Sequence, residues 1–384
     1  MADDYRQASL DIWERMAAGW EDDRGAVWDA SRVVGEWLVD ALDPQPRETL
    51  LEIAAGVGDT GLAAAARLGS CGKLIATDFS EPMVAAARRR AEELGVSNYN
   101  VAGPLPERAG RVTPSLVSAT WVRARVADPG IRIVDCRWKL GDPRAGERLW
   151  REGHIAGAAF LDLDRDLAAP PGEGGRHPLP APKAFEAAAR RAGIGEDTLV
   201  VAYDEAGEGG AARLWWLLRH FGHDAVTVLD GGMRAWRGES GELRAGEEDI
   251  TPGNFTAAPP RDDTTTAEEL AAARGVVLVD ARAPERFRGE VEPIDAVAGH
   301  IPGAVNVPFA ELAPDGRFLA PEELRARFEA AGVRSGDEAV AYCGSGVTAA
   351  VMVLAAEVAG LGPVRLYPGS WSEWSARGLP VERG

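Results

Sequence analysis

Along residues 131 to 137 the chain reads Ile-Arg-Ile-Val-Asp-Cys-Arg, a short apolar strand closed by polar residues, and Val276-Val277-Leu278-Val279-Asp280-Ala281-Arg282 repeats the pattern. Gly153-His154-Ile155-Ala156-Gly157-Ala158 likewise returns as Gly299-His300-Ile301-Pro302-Gly303-Ala304. Next comes a wholly apolar strand ending in a polar residue: Leu199 to Tyr203 before Asp204, and Ala339 to Tyr342 before Cys343. Each is followed by a helical stretch, Ala211 to Phe221 or Thr348 to Gly360, then by another short strand and a turn carrying tryptophan (Trp236; Trp371 and Trp374). Such an internal repeat predicts two homologous modules, and strands alternating with helical periods predict parallel sheets flanked by helices.

The boundaries are set by where the repeat starts and stops. The first module is expected over 111–238 and the second over 263–384, with the Gly-, Glu- and Pro-rich residues 239–262 as a linker. Residues 1–108 belong to neither repeat. There an amphipathic helical region through Trp37 to Leu42 leads to a strand, Thr49 to Ile53, a Gly-rich turn, an alanine-rich helix and a second strand, Lys73 to Thr77, ending at Asp78. This is the opening of a nucleotide-binding α/β fold that then stops, a partial Rossmann-like segment.

Composition narrows the function classes. With 384 residues the chain is too long for one ordinary core. Its formal net charge of -18 disfavours nucleic acid and anionic membrane surfaces, so an anionic substrate needs local positive groups. No apolar run is long enough to span a bilayer, and the acidic start Met1-Ala2-Asp3-Asp4 has no signal-peptide pattern, so a cytoplasmic protein is expected. Three cysteines far apart, Cys71, Cys136 and Cys343, argue against both a disulfide framework and a metal site. Cys136, after a strand, reads as buried, and Cys71 has no partner motif.

Cys343 is set apart by the residues after it, Gly344-Ser345-Gly346-Val347-Thr348, which lie between a strand and a helix. Glycines let successive N–H groups converge on one point, and the helix adds the positive end of its dipole. A thiolate held there is a nucleophile. A buried core thiol followed by a tight turn would use the same residue types. A phosphatase loop would need an arginine to close it, where Ala349 and Ala350 stand.

The loop, the paired Gly-His-Ile-x-Gly-Ala motifs and the ending Gly369-Ser370-Trp371-Ser372-Glu373-Trp374 resemble the two-domain rhodanese family from about Val112 onward. The resemblance implies an α/β fold of tandem domains. The first is catalytically silent, with Asp204 where the second has Cys343. It also implies sulfur transfer through a Cys343 persulfide, held by the amides of Gly344, Ser345, Gly346, Val347 and Thr348. The donor is a small sulfur-bearing anion; the acceptor is cyanide, a thiol or a protein such as thioredoxin. The loop is similar to that of 3-mercaptopyruvate enzymes, with thiosulfate as the alternative donor. Arg286 matches the family's anion-binding arginine, but the second arginine of a Glu-Pro-Arg segment is replaced in Glu292-Pro293-Ile294. Asp164 and His177 match residues thought to partner Ser345, and a His tied to a carboxylate can move a proton; a loop hydrogen bond is the other reading. His154 and His300, present in both modules, read as structural. A non-catalytic sulfur-carrying module remains an alternative to the enzyme.

In the N-terminal segment Glu52, Gly56, Gly58 and Asp78, with Phe79-Ser80-Glu81-Pro82-Met83, resemble class I S-adenosylmethionine methyltransferases of the ubiquinone-biosynthesis type. The strands that would complete that fold are missing. No cofactor is required by the sulfur chemistry, and the segment is expected to pack or dimerise, with residual S-adenosylmethionine binding as the other possibility.

Overall fold

A computed structural model describes residues 12–17, 19–46, 48–69, 72–102 and 113–384; Cys71 lies outside them. The chain divides into two compact units, Met1–Val112 and Thr113–Gly384.

In the first unit helix α1 (Arg24–Leu42) precedes β1 (Thr49–Ile53), α2 (Asp59–Leu68), β2 (Lys73–Thr77), α3 (Glu81–Glu93) and β3 (Tyr99–Ala102). The sheet is parallel in the order β1-β2-β3. The third strand escapes the sequence reading because Tyr99-Asn100-Val101-Ala102 is four residues long and interrupted by Asn100. Leu62, Ala65, Leu68, Leu74, Ala76, Ala87 and Tyr99 form the core. The amphipathic pattern of α1 finds little cover: only Gly35 and Val39 are buried, while Val33, Trp37 and Leu38 stay exposed. β1, at the sheet edge, leaves Leu51 and Ile53 exposed as well.

The second unit holds both repeats. The first contributes β4 (Leu116–Val117), β5 (Ile131–Asp135), β6 (His154–Ile155), β7 (Ala159–Phe160), α4 (Leu163–Asp166), β8 (Leu199–Tyr203), α5 (Gly210–His220), β9 (Val226–Leu229) and β10 (Leu243–Arg244). Its parallel sheet runs β4-β9-β8-β5-β7. The second contributes β11 (Val277–Asp280), α6 (Pro284–Phe287), β12 (Val305–Asn306), β13 (Ala339–Tyr342), α7 (Thr348–Val358), β14 (Val364–Leu366) and α8 (Ser370–Ala376). Its sheet runs β12-β11-β13-β14, and a bridge from Thr264 to Leu366 supplies the counterpart of β4. β8 and β13 occupy the same central place in the two sheets. They are apolar throughout because both faces are covered.

The repeated polar motifs are scaffolding. Arg137 and Arg282 each bind the strand-end aspartate two residues before them, Asp135 or Asp280, at 2.6 Å, and each also donates to the carbonyl of Gly153 or Gly299. Both pairs are fully buried, and each arginine holds its aspartate through more than one hydrogen bond. His154 Nδ1 meets the Trp150 carbonyl and His300 Nδ1 the Phe287 carbonyl, both at 2.7 Å, which ties these histidines into turns.

The segment read as a linker is strapped down. Leu243 and Arg244 form β10, antiparallel to β6, and Phe255 is buried with its N–H on the Ile194 carbonyl. Composition flagged its glycines and prolines but not this single buried aromatic anchor. Helices α5 and α7 pack on each other, and Leu214, Trp215 and Leu218 share one apolar core with Val351, Met352 and Ala355. The two modules are thus joined through a common interior. Among the described residues no helix is long and apolar enough to cross a membrane.

Candidate active site

Cys343 follows β13 directly, at the carboxyl end of a central parallel strand, where open α/β sheets place their ligand crevices. Its Sγ accepts N–H groups from Gly346 at 3.1 Å and Ser345 at 3.4 Å. The sharp turn needs Gly346, whose φ of +79° is left-handed; a methyl group on it would press into the Pro368 carbonyl. The loop is clamped from behind. Cys343 N–H donates to Ser370 Oγ, and the carbonyls of Cys343 and Gly344 accept from Trp371 and Ser372 N–H groups. Ser370 holds a φ of +52°, an uncommon conformation for a residue with a side chain. Within the expected anion cradle the N–H groups reaching Sγ are those of Ser345 and Gly346. Gly344 instead presents its Cα to the arginines, Val347 packs against Gly209 of the first module, and Thr348 opens α7. The amide contacts expected of Gly344, Val347 and Thr348 are therefore not seen in this loop conformation.

The first module brings a histidine and an aspartate to the loop. His177 Nδ1 lies 2.7 Å from Ser345 Oγ and Nε2 lies 3.0 Å from Asp164 Oδ1. A carboxylate accepts only, so Nε2 carries the hydrogen and Nδ1 accepts from the Ser345 hydroxyl. His177 is 5% exposed, whereas the Asp164 side chain is 46% exposed, so the relay runs from the buried loop to solvent. Burial holds His177 below the usual histidine range; Asp164 opposes this, and the cations Arg213 and Arg176 add to it. The ring is therefore neutral at neutral pH.

Arg286 sits on α6. It donates to Glu292 Oε1 at 2.7 Å through Nη2 and to Oε2 at 3.2 Å through Nε, with Asp295 Oδ2 3.3 Å away. Burial raises Glu292, but the Arg286 hydrogen bond and two backbone N–H groups outweigh it and leave that carboxyl below its ordinary value. Ile294 is 41% exposed.

Two arginines of the first module escape the sequence reading. Arg213, on α5, is fully buried and donates to the carbonyls of Leu167, Gly346 and His177, with Pro178 at 3.4 Å. Burial pulls it down to about 10, opposed by the facing Cys343, and it binds the nucleophile loop to the histidine segment. The signal was an arginine inside the apolar run Ala211-Ala212-Arg213-Leu214-Trp215-Trp216. Arg176, beside His177, donates to Asp295 Oδ1 at 2.6 Å. No motif marked it.

Asp204 shows why the first module carries no nucleophile. Its carboxylate accepts from the N–H groups of Gly207, Gly209 and Ala211, filling the cradle that Cys343 occupies in its own module. Cys136 is fully buried, and burial together with Asp135 and Asp204 pushes its thiol far up, so it is unreactive.

In the N-terminal unit the Asp78 carboxylate accepts from Gly56 and Ser80 N–H groups, at 2.8 and 2.9 Å. Glu52 is pushed up to about 7, chiefly by burial, and accepts from Tyr99 OH at 3.4 Å; a side chain on Gly61 would collide with it. Gly58 caps α2 with a φ of +90°. These four residues thus cluster, with both carboxylates engaged inside the unit. Among the described residues no cluster of three His, Cys, Asp or Glu is arranged to hold a metal.

Known proteins place this geometry. The Rhodanese-like domain model matches residues 118–239 and 263–377, and the ubiE/COQ5 methyltransferase family model matches 31–103. A probable 3-mercaptopyruvate sulfurtransferase of Pseudomonas aeruginosa is 48% identical over 267 residues, 67% of this chain and 94% of the relative. A putative thiosulfate sulfurtransferase of Mycobacterium tuberculosis is 46% identical over 270 residues, covering 68% and 93%. The crystal structure of the 3-mercaptopyruvate enzyme SseA from Escherichia coli superposes with a TM-score of 0.61 at 35% identity, covering 68% of this chain and all of that one. With a cysteine loop in one module, a filled cradle in the other and matches across both, the chain belongs to the rhodanese family of sulfurtransferases.

Proposed function

We propose that the protein moves a sulfane sulfur from 3-mercaptopyruvate to a thiophilic acceptor through a persulfide on Cys343. The observation that carries this reading is the Ser345–His177–Asp164 relay beside the thiol. When the Cys343 thiolate attacks the donor sulfur, an S–S bond forms and the donor C–S bond breaks. The electron pair passes into the enolate of pyruvate, whose carbon must then take a proton. That proton is the one the donor thiol brought: Ser345 takes it while passing its own hydrogen to the free Nδ1 of neutral His177, and the reverse transfer delivers it to the carbon, leaving pyruvate and the Cys343 persulfide anion. Sulfite leaving from thiosulfate needs no proton on carbon, so a built relay favours the carbon donor. The N–H groups of Ser345 and Gly346 are placed to stabilise the anion on sulfur. An acceptor thiolate then attacks the outer sulfur and Cys343 leaves as thiolate.

The acceptor in this reading is a thiol, cyanide or a thioredoxin-like protein, and the setting is the cytoplasm, where thiols stay reduced. No cofactor enters either step. The N-terminal unit acts as a packing or dimerising element, since its two carboxylates are already engaged internally. Intact mass spectrometry after exposure to 3-mercaptopyruvate or thiosulfate tests the reading, with Cys343→Ala as control. One added sulfur on Cys343, and a larger kcat/KM for mercaptopyruvate, is expected. No added sulfur from either donor would overturn the enzyme, and faster loading from thiosulfate would overturn the donor.

A further inference from the structure

Arg137, Arg213 and Arg282 are buried alike, but their partners differ. Arg137 and Arg282 each hold the carboxylate at the end of the strand before them. Among the described residues Arg213 has only backbone carbonyls as hydrogen-bond partners, those of Leu167, Gly346, His177 and Pro178. Carbonyl dipoles solvate a guanidinium yet leave its full charge unmatched. A buried charge without an opposite one is costly.

The carboxylates around the loop are already taken. Asp166, beside Leu167, pairs with Arg165 and Arg191, and Asp204, before α5, accepts three N–H groups. On the second module Glu292 and Asp295 match Arg286 and Arg176, Asp280 is closed by Arg282, and Glu373 on α8 pairs with Arg377. His177 is neutral and lies between Ser345 and Asp164. What remains opposite Arg213 is Cys343. A single glycine joins the two: the Gly346 carbonyl accepts from Arg213 Nη1 at 3.1 Å, and the Gly346 N–H donates to Sγ at 3.1 Å. Helix α7, which starts at the loop, carries no cation of its own.

We propose that Arg213 is the counter-cation of the sulfur anion on Cys343: the first module supplies the positive charge that the nucleophile lacks on its own module. Both partners are buried, so their attraction is little weakened by water. The same charge serves the resting thiolate and the thiolate that leaves when an acceptor takes the sulfur. The second role rests on the sulfur-transfer reading above; the first does not.

Iodoacetamide alkylation of Cys343 in the full chain, followed by peptide mass spectrometry, reads the charge without any sulfur transfer. Arg213→Gln removes the cation but keeps side-chain N–H groups for the carbonyls. Alkylation is expected to slow about tenfold at pH 7, because less of the thiol is ionised, and to return to within about threefold of wild type at pH 9.5. A loop that has merely come loose would slow alkylation alike at both pH values. A wild-type-to-variant ratio that is the same within twofold at pH 7 and pH 9.5 would therefore overturn the assignment. If the variant does not fold, the cradle itself decides. With Arg213 in place, Cys343→Asp should unfold at a higher urea concentration than Cys343→Asn at pH 7, and an Asn form as stable as the Asp form would overturn the counter-cation equally. If wild type never gains sulfur from either donor yet the pH pattern appears, the counter-cation stands and the sulfur-transfer reading fails.

Discussion

Gly346→Ala isolates what the loop does for the nucleophile. At φ +79° an alanine costs about 1–2 kcal/mol by backbone strain alone. Its methyl would press on the Pro368 carbonyl oxygen and sit 3.1 Å from Pro368 C, both backbone atoms that cannot rotate away. Restoring an ordinary carbon–oxygen separation of about 3.3–3.6 Å opens the loop by on the order of 1 Å. The Gly346 N–H, 3.1 Å from Sγ, then leaves hydrogen-bond range. A hydrogen bond to a charged group contributes about 1.5–3 kcal/mol, so kcat/KM should fall about 10–150-fold for every donor. Iodoacetamide, which has no carboxylate to bind, should slow by a comparable factor. A Tm lowered by a few degrees would report the strain. Gly344→Ala is the contrast, since there the added methyl meets only the ends of Arg176 and Arg286. It should impair 3-mercaptopyruvate turnover while leaving iodoacetamide alkylation nearly unchanged. A folded Gly346→Ala enzyme within twofold of wild type in both assays would refute the role given to that N–H.

Three further outcomes are expected. His177 titrates below its ordinary 6.5, so its neutral, proton-accepting form persists at mildly acidic pH, and the acid limb of mercaptopyruvate kcat/KM should lie below 6.5; Asp164→Asn, by removing the group that raises it, should move the limb lower still. The same depression means that the unfolded chain binds a proton the folded one refuses, so urea titrations should show stability falling as pH drops through and below 6.5. Glu52, with its pKa raised from 4.5 to about 7, stabilises its unit below 4.5 and loses that contribution as pH rises through 7; Glu52→Gln should therefore slow amide exchange in β1 at pH 8, by up to about 3 kcal/mol of protection, with no gain below 4.5. Asp204→Ala strands the Gly207, Gly209 and Ala211 N–H groups at about 1–3 kcal/mol each, and relief of the buried carboxylate offsets part of this, so chemical denaturation should show a net loss of about 2–4 kcal/mol.

The legibility of this chain follows the reach of its interactions. The repeat, the alternation of strand and helix, and the Cys343 loop are local patterns whose spacing is set by backbone geometry, and the observed sheets keep that order. Ser345 and His177 meet across 168 residues, and only the family resemblance pointed to the pairing, because nothing near His177 marks it as facing a thiol. Arg176 was invisible for the same reason. Its partner Asp295 lies 119 residues away, and the surrounding Gly172-Glu173-Gly174-Gly175 reads simply as a loop. The α1 pattern misled in the other direction, since Trp37 and Leu38 are apolar at helical spacing yet exposed. Periodicity records which face prefers burial, not whether a truncated sheet can cover it.

Calling the first module silent is accurate only for the nucleophile. Asp204 sits in the amide cradle at the end of β8 just as Cys343 does at the end of β13, and a fixed carboxylate there excludes a second reactive sulfur. Beside Ser345 and Arg286 of the second module, several side chains that reach the loop come from that first module. His177 reaches Ser345 and is held by Asp164, Arg213 ties the His177 carbonyl to the Gly346 carbonyl, and Arg176 pairs with Asp295 beside the loop. All four depend on the shared α5–α7 core that fixes one module against the other. A single module would retain the cysteine loop but lose the contact of Ser345 with the His177–Asp164 pair and the buried guanidinium that holds the loop. The duplication therefore divides the site, with the cysteine and the N–H groups around its sulfur on one copy and the histidine–aspartate pair and the buried positioning arginine on the other.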